Sequence, residues 1–127
     1  MLDSSPAEAE RFLTNAAKTP GAFSKQPAVY DALARAIYNS TYVSAATEYN
    51  TKCKANPVSE CDALYAKAAQ MLDRIIDAYA RAVALSKDPT SVAATKQNLT
   101  ILYKQRHDNS DAGLDKFIAE VLSKPLP

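Results

Sequence analysis

The chain has 127 residues, of which 47% are hydrophobic and 23% are charged, and its formal net charge at pH 7 is +1. This length and composition predict a single globular domain over residues 1–127, with enough chain to bury a core. The 15 basic residues are balanced by 14 acidic ones, and no apolar run approaches the roughly 20 residues of a membrane-spanning helix. We therefore expect no nucleic-acid partner and no transmembrane segment.

The seven prolines divide the chain into helical segments, because proline inside a helix costs about 3 kcal/mol. The stretches between them hold only two glycines, and no alternating pattern indicates a strand. The first predicted helix spans about 6–18, where Ser5, Pro6 and Glu8 form a capping sequence. The second spans about 27–53 and starts with a proline.

Three more helices are predicted from similar start signals. A second capping sequence at 59–62 (SECD) begins a helix that ends at about residue 86. A helix of about 89–106 starts with the Asp88-Pro89 pair, and the last helix occupies about 111–123 after a polar loop. The sequence therefore predicts an all-α fold of about five helices, arranged as antiparallel hairpins.

The third predicted helix has the clearest amphipathic pattern. At about 100° per residue, one broad face of it is apolar. That face consists of Cys61, Leu64, Tyr65, Ala68, Met71, Leu72, Ile75, Ile76, Tyr79, Ala82 and Val83. The opposite face carries Asp73, Asp77 and Arg81. Because Asp77 and Arg81 have the spacing of a helical ion pair, we expect a solvated charge face there rather than a pair of catalytic carboxylates.

Two separate stripes run along the second predicted helix. One is aliphatic and consists of Val29, Leu33 and Ile37, and the other consists of Tyr38, Tyr42 and Tyr49. Tyrosine combines a rigid apolar ring with a polar tip and recurs at binding hot spots, so the tyrosine stripe is the candidate interaction surface. Core packing explains the same residues, and we expect at least two of the three tyrosines to be buried.

The second half of the chain, about residues 62–127, resembles tetratricopeptide-type helical repeats. The second helix of such a repeat carries a small residue, an aromatic residue four later, a small residue three after that and a proline five further on. The matching positions are Ile75, Tyr79, Ala82 and the late Pro89 in one copy, and Gly113, Phe117 and Pro125 in the next, where Glu120 departs from the small-residue position. Leu99, Thr100 and Tyr103 resemble part of a repeat's first helix.

This resemblance implies a short right-handed stack of helix pairs with a binding groove and no catalytic centre. The two aromatic positions, Tyr79 and Phe117, are 38 residues apart, whereas the family's period is about 34 residues. The alternative to a repeat is an irregular helical bundle.

Cys53 and Cys61 are placed at the end of one predicted helix and the start of the next. An antiparallel hairpin brings such positions together, so we expect a disulfide between them. A disulfide indicates the periplasm or the extracellular space, whereas reduced thiols indicate the cytoplasm. The spacing matches neither a redox CxxC motif nor a zinc site.

The sequence contains no motif for a catalytic, cofactor or metal site. Its single histidine, His107, lies in a predicted turn, where capping is the usual role. Asn39 and Asn98 begin two sequons that match the N-glycosylation pattern, although both lie within predicted helices, and we expect them to be unoccupied.

The leading hypothesis is therefore a non-enzymatic module, outside the cytoplasm, that binds a protein partner. One alternative is a structural subunit that self-assembles head to tail into a ring or filament. Another is a small-molecule carrier or an enzyme with an unrecognised pocket. No cofactor is expected.

Overall fold

The computed structural model describes residues 6–21, 23–53 and 60–127, and all regular secondary structure in these ranges is helical. The helices are α1 (Pro6–Lys18), α2 (Pro27–Ile37), α3 (Val43–Cys53), α4 (Cys61–Leu85), α5 (Pro89–Arg106) and α6 (Leu114–Glu120). A π-helical segment, Tyr38–Tyr42, joins α2 to α3, and 3-10 turns occupy Phe23–Lys25 and Val121–Ser123. Because α2, the π segment and α3 follow one another without a break, they count as one long helix. The described residues then form five helices, which confirms the predicted all-α fold.

The predicted helix starts at prolines are confirmed. Both α2 and α5 place proline in their first turn, where its missing N–H leaves no hydrogen bond unmade. The Asp88 carboxylate caps α5, since it accepts hydrogen bonds from the Thr90 backbone N–H at 3.1 Å and the Ser91 hydroxyl at 2.9 Å. The predicted capping residues Ser5 and Ser59 lie outside the described residues.

The second predicted helix is not α-helical throughout, because its turn at Tyr38–Tyr42 widens to π geometry. At this turn the Ser40 hydroxyl contacts both the Ala36 carbonyl, at 2.7 Å, and a carboxylate oxygen of Glu10 on α1, at 2.8 Å. The Thr41 hydroxyl donates to the same Glu10 oxygen at 3.2 Å. Side-chain hydroxyls that contact helical carbonyls distort helices, and π turns often mark functional sites.

The last helix begins three residues later than predicted. The Leu114 N–H bonds to the Asp111 carbonyl in a turn, and Gly113 precedes the helix with φ +89°, a left-handed conformation that glycine adopts easily. A Cβ at Gly113 would lie 3.3 Å from the Tyr103 hydroxyl. Asp111 therefore belongs to a turn and not to the helix.

Helix α4 is the centre of the fold and packs against α2, α3, α5 and α6, while α1 packs against α2. Every residue of α4 from Ile75 to Ala82 is buried. The largest fully buried side chains are Leu33, Ile37, Ile75, Leu99 and Val121. The first half of α4 is less covered, and Tyr65, which was predicted on the apolar face, is exposed.

The predicted solvated charge face of α4 is wrong for Asp77 and Arg81, which are 9% and 5% exposed. Arg81 bonds to Asp77 at 2.6 Å and to the Lys124 carbonyl at 2.8 Å. The chain after α6 crosses this face and covers it. Burial is the main reason that the pKa of Asp77 is raised, and the bond and charge of Arg81 oppose the rise.

Candidate binding groove

A groove runs along α4, which forms its floor, between a wall of α2 with the π segment and a wall of α5. From one end to the other, residue numbers rise on both walls and fall on the floor, so the walls run antiparallel to α4. Three depressions follow in this order, which we name the wide end, the middle pocket and the narrow end. On α5 the wide end and the middle pocket extend from Ser91 to Leu102, a length of about 17 Å at 1.5 Å per residue.

The wide end has a volume of about 820 Å³. Its side chains include two lysines, Lys25 and Lys87, and two aspartates, Asp31 and Asp88. The aspartates are already engaged, since Asp31 pairs with Arg35 and Asp88 caps α5. Lys25 and Lys87 have no ion pair among the described residues, so this end of the groove carries positive charge.

The middle pocket has a volume of about 280 Å³ and is the most apolar part of the groove. Tyr38 stands on one wall and Ile101 on the other, 42% and 60% exposed. Tyr79 lies on the floor. The pKa of Tyr79 is raised mainly by burial and further by the Asp31 carboxylate, while the charge of Arg35 opposes the rise.

The narrow end has a volume of about 180 Å³. The Gln105 side-chain amide donates a hydrogen bond of 3.0 Å to the Tyr42 hydroxyl and so joins the two walls. Arg106 and Asp73 form an ion pair at 2.9 Å between α5 and α4. These two contacts close the groove at this end.

The structure separates Tyr49 from the other two tyrosines of the predicted stripe. The rings of Tyr38 and Tyr42 lie 5.3 Å apart, and both line the groove. Tyr49 contacts Tyr65 on α4 instead, edge to face at 5.7 Å. Tyr42 and Tyr49 are partly buried and Tyr38 is exposed, so the expected burial of two tyrosines is met only in part.

The two sequon asparagines are brought together by the fold. Asn39 and Asn98 are exposed and line the middle pocket from opposite walls. A glycan on either residue would extend over the pocket.

The α5 wall was not among the residues predicted from the sequence to bind a partner. Groove residues on α5 recur with helical spacing: Ser91, Ala94, Thr95, Asn98, Ile101, Leu102 and Gln105. This is the pattern of one helix face. Because several members are small or polar, the face is not recognisable as apolar from the sequence.

The predicted disulfide is confirmed, and Cys53 at the end of α3 is bonded to Cys61 at the start of α4, with 5.8 Å between their Cα atoms. Each cysteine is four residues from a tyrosine of the Tyr49–Tyr65 pair. The bond therefore fixes α3 beside α4 close to the narrow end of the groove.

His107 lies at the end of α5 with its ring 4.2 Å from that of Tyr103, and it does not line the groove. Within the described ranges, no three potential metal ligands (His, Cys, Asp or Glu) cluster together, and every buried side-chain nitrogen or oxygen has a hydrogen-bond partner. None of the described helices is both long and apolar enough to cross a membrane.

Comparison of the chain with protein-family models, curated proteins and solved structures finds no match.

Proposed function

We propose that the protein is a non-enzymatic binding module whose groove between α2 and α5 takes an amphipathic helix of a protein partner. The observation that carries this proposal is the middle pocket, where Tyr38 and Ile101 expose apolar surface on facing walls. An apolar depression flanked by polar side chains is typical of a site for an anchoring side chain.

A helical partner fits this groove better than an extended one. The groove has helical walls, whose backbone groups bond within each helix, so an extended peptide would find no backbone partners along it. A helix satisfies its own backbone and presents anchors at i, i+3 and i+7. The open length of about 17 Å corresponds to about 11 helical residues.

One further observation supports a binding role. The single histidine stacks on Tyr103 and lies away from the groove. The Cys53–Cys61 disulfide supports a periplasmic or extracellular location.

The resemblance to tetratricopeptide repeats includes the α4 floor and the α5 wall but not the α2 wall, and it supports a binding role because such repeats bind partners on their concave surfaces. We propose that the helix pairs from α4 onward form a short, repeat-like stack.

The test is a selection from a display library of helical peptides of about 11 residues with randomised i, i+3 and i+7 positions. Selected peptides should carry large apolar residues at those positions. Ile101→Glu should weaken their binding at least tenfold, because it puts a charge into the middle pocket. Leu122→Glu is the matched control, since Leu122 is 45% exposed and lines no part of the groove.

Photo-crosslinking locates the bound peptide. Benzoylphenylalanine at Tyr38 should crosslink to it, and the same group at Val43, which is equally exposed but outside the groove, should not. Equal binding by the Ile101→Glu and Leu122→Glu variants, or equal crosslinking from both positions, would overturn the proposed function.

A further inference from the structure

The wide end of the groove has an exposed lysine at the start of each wall. Lys25 lies two residues before α2, and Lys87 lies two residues before α5. Among the described residues, neither lysine forms an ion pair with a carboxylate. Both ammonium groups are therefore available to a carboxylate from outside the chain.

The two aspartates of the wide end are engaged within the chain. Asp31 pairs with Arg35 on α2, and this pair adds no net charge. The Asp88 carboxylate accepts hydrogen bonds from the first turn of α5, whose partial positive charge offsets part of its own. The first turn of α2, by contrast, has no side-chain cap. The mouth of the wide end therefore favours an incoming negative charge.

The charged mouth lies at a defined distance from the apolar middle pocket. The two depressions adjoin, since Asn98 lines both. On α5 the distance from Ser91 to Ile101 is about 15 Å, and on the other wall the distance from Pro27 to Tyr38 is about 17 Å, at about 1.5 Å per residue. On both walls, the mouth and the pocket are thus about three helical turns apart.

We propose that the partner of the groove is an amphipathic helix that carries an apolar anchor and, about three turns away on the same face, a pair of acidic residues. This inference rests on the proposed function and names the chemistry of the partner. The anchor occupies the middle pocket between Tyr38 and Ile101, and the carboxylates approach Lys25 and Lys87. Positions 11 and 14 residues from the anchor share its face and lie about 17 and 21 Å from it, at the mouth of the groove.

The exposure of the two lysines determines how strong this recognition is. Exposed ion pairs contribute little to affinity and are screened by salt, so the apolar anchor supplies most of the binding. The charges instead select the partner and fix which of its ends lies at the wide end. We therefore expect a preference of about tenfold for an acidic over a basic end at low salt.

Synthetic helical peptides test the proposal. They carry the apolar residues found by the display selection, and the crosslink from position 38 identifies which of these residues is the anchor. In one set, positions 11 and 14 residues after the anchor are both Glu, both Gln or both Lys, and in a second set the same residues precede the anchor. Fluorescence anisotropy measures their binding to the full chain at about 0.01 M salt and at about 1 M salt, where charges are screened within about 3 Å.

In one of the two sets, the wild type should bind the Glu form about tenfold more tightly than the Lys form at low salt, and the difference should vanish at high salt. A Lys25→Glu, Lys87→Glu double variant should reverse this order. A Lys67→Glu, Lys116→Glu double variant is the matched control, because it has the same net charge and both of its lysines are exposed and outside the groove. It should keep the order of the wild type.

Equal binding of the Glu and Lys forms in both sets would overturn the proposal, as would a preference that survives the change of Lys25 and Lys87 or that the control variant also reverses. If the peptides ignore the charge at their ends but still bind in an Ile101-dependent manner, this inference fails and the proposed function stands. If Ile101→Glu leaves peptide binding unchanged, both are wrong.

Discussion

The Arg81 side chain donates a hydrogen bond of 2.6 Å to the Asp77 carboxylate inside the core, one helical turn away on α4. Its second bond, to the Lys124 carbonyl at 2.8 Å, ties the chain after α6 to the central helix. A charged pair that loses its hydration is stable only when both partners are present. The end of the chain and the middle of α4 are therefore joined by one polar unit.

Replacing Arg81 by Met should destabilise the protein by about 3–5 kcal/mol, because the Asp77 carboxylate would remain buried without its partner. The free energy of unfolding from urea titration measures this loss. Arg35→Met, at the exposed Asp31–Arg35 pair, is the matched control and should cost no more than about 1 kcal/mol. Similar losses for the two variants would contradict the burial of the Arg81 pair.

The raised pKa of Asp77 predicts an unusual pH dependence. The native state holds this proton more tightly than the unfolded chain, whose pKa is the ordinary value of 3.8. As pH rises from 3.8 through the raised native pKa, Asp77 therefore contributes progressively less to stability, by about 1.4 kcal/mol for each unit of the rise.

The Asp77→Asn variant has no titrating group at position 77, while its other titrating groups are the same as in the wild type. The free energy of unfolding of the wild type minus that of the variant should therefore fall as pH rises through that window, which a series of urea titrations measures. A difference that is constant with pH would show that the pKa of Asp77 is the same in both states, and one that rises with pH would reverse the sign.

The helix boundaries and the disulfide were predictable because they depend on local chemistry. Pro27 and Pro89 define helix starts wherever the chain packs, and a short hairpin brings Cys53 and Cys61 together whatever surrounds it. The burial of Asp77 and Arg81 was not predictable, because these residues lie on the polar face of α4. That face is buried only because the chain after α6 packs across it.

The groove could be predicted from the sequence only in part. Tyr38 and Tyr42 were identified from the sequence, but the π segment on which they lie is hydrogen-bonded to Glu10, some thirty residues earlier in the chain, and this long-range contact is not visible in the local pattern. Ile101 is one exposed apolar residue on a mostly polar helix, and only the packing of α5 against α4 places it opposite Tyr38.

Glu10 should be a key contact for α1. Its carboxylate accepts from Ser40 and Thr41 on the π segment and pairs with Arg74 on α4 at 3.3 Å. Glu10→Gln removes the charge while keeping the size of the side chain, and we expect a loss of about 1–3 kcal/mol together with faster amide exchange in α1.

Glu48→Gln is the control for Glu10→Gln, because Glu48 pairs with Lys52 on the surface of α3 and the change should cost less than about 1 kcal/mol. Unchanged amide exchange in α1 of the Glu10 variant would show that α1 is held by its apolar contacts alone.

Reduction of the Cys53–Cys61 bond should lower stability by about 2.5 kcal/mol, the loop-closure value for a sequence separation of 8. The same step should weaken the near-ultraviolet circular dichroism of the tyrosines, because the bond holds Tyr49 against Tyr65. A Cys53→Ala, Cys61→Ala double variant should match the reduced wild type and should not respond to the reductant. If the reduced protein keeps both its stability and its tyrosine signal, packing between α3 and α4 is sufficient without the bond, and the disulfide does not position this end of the groove.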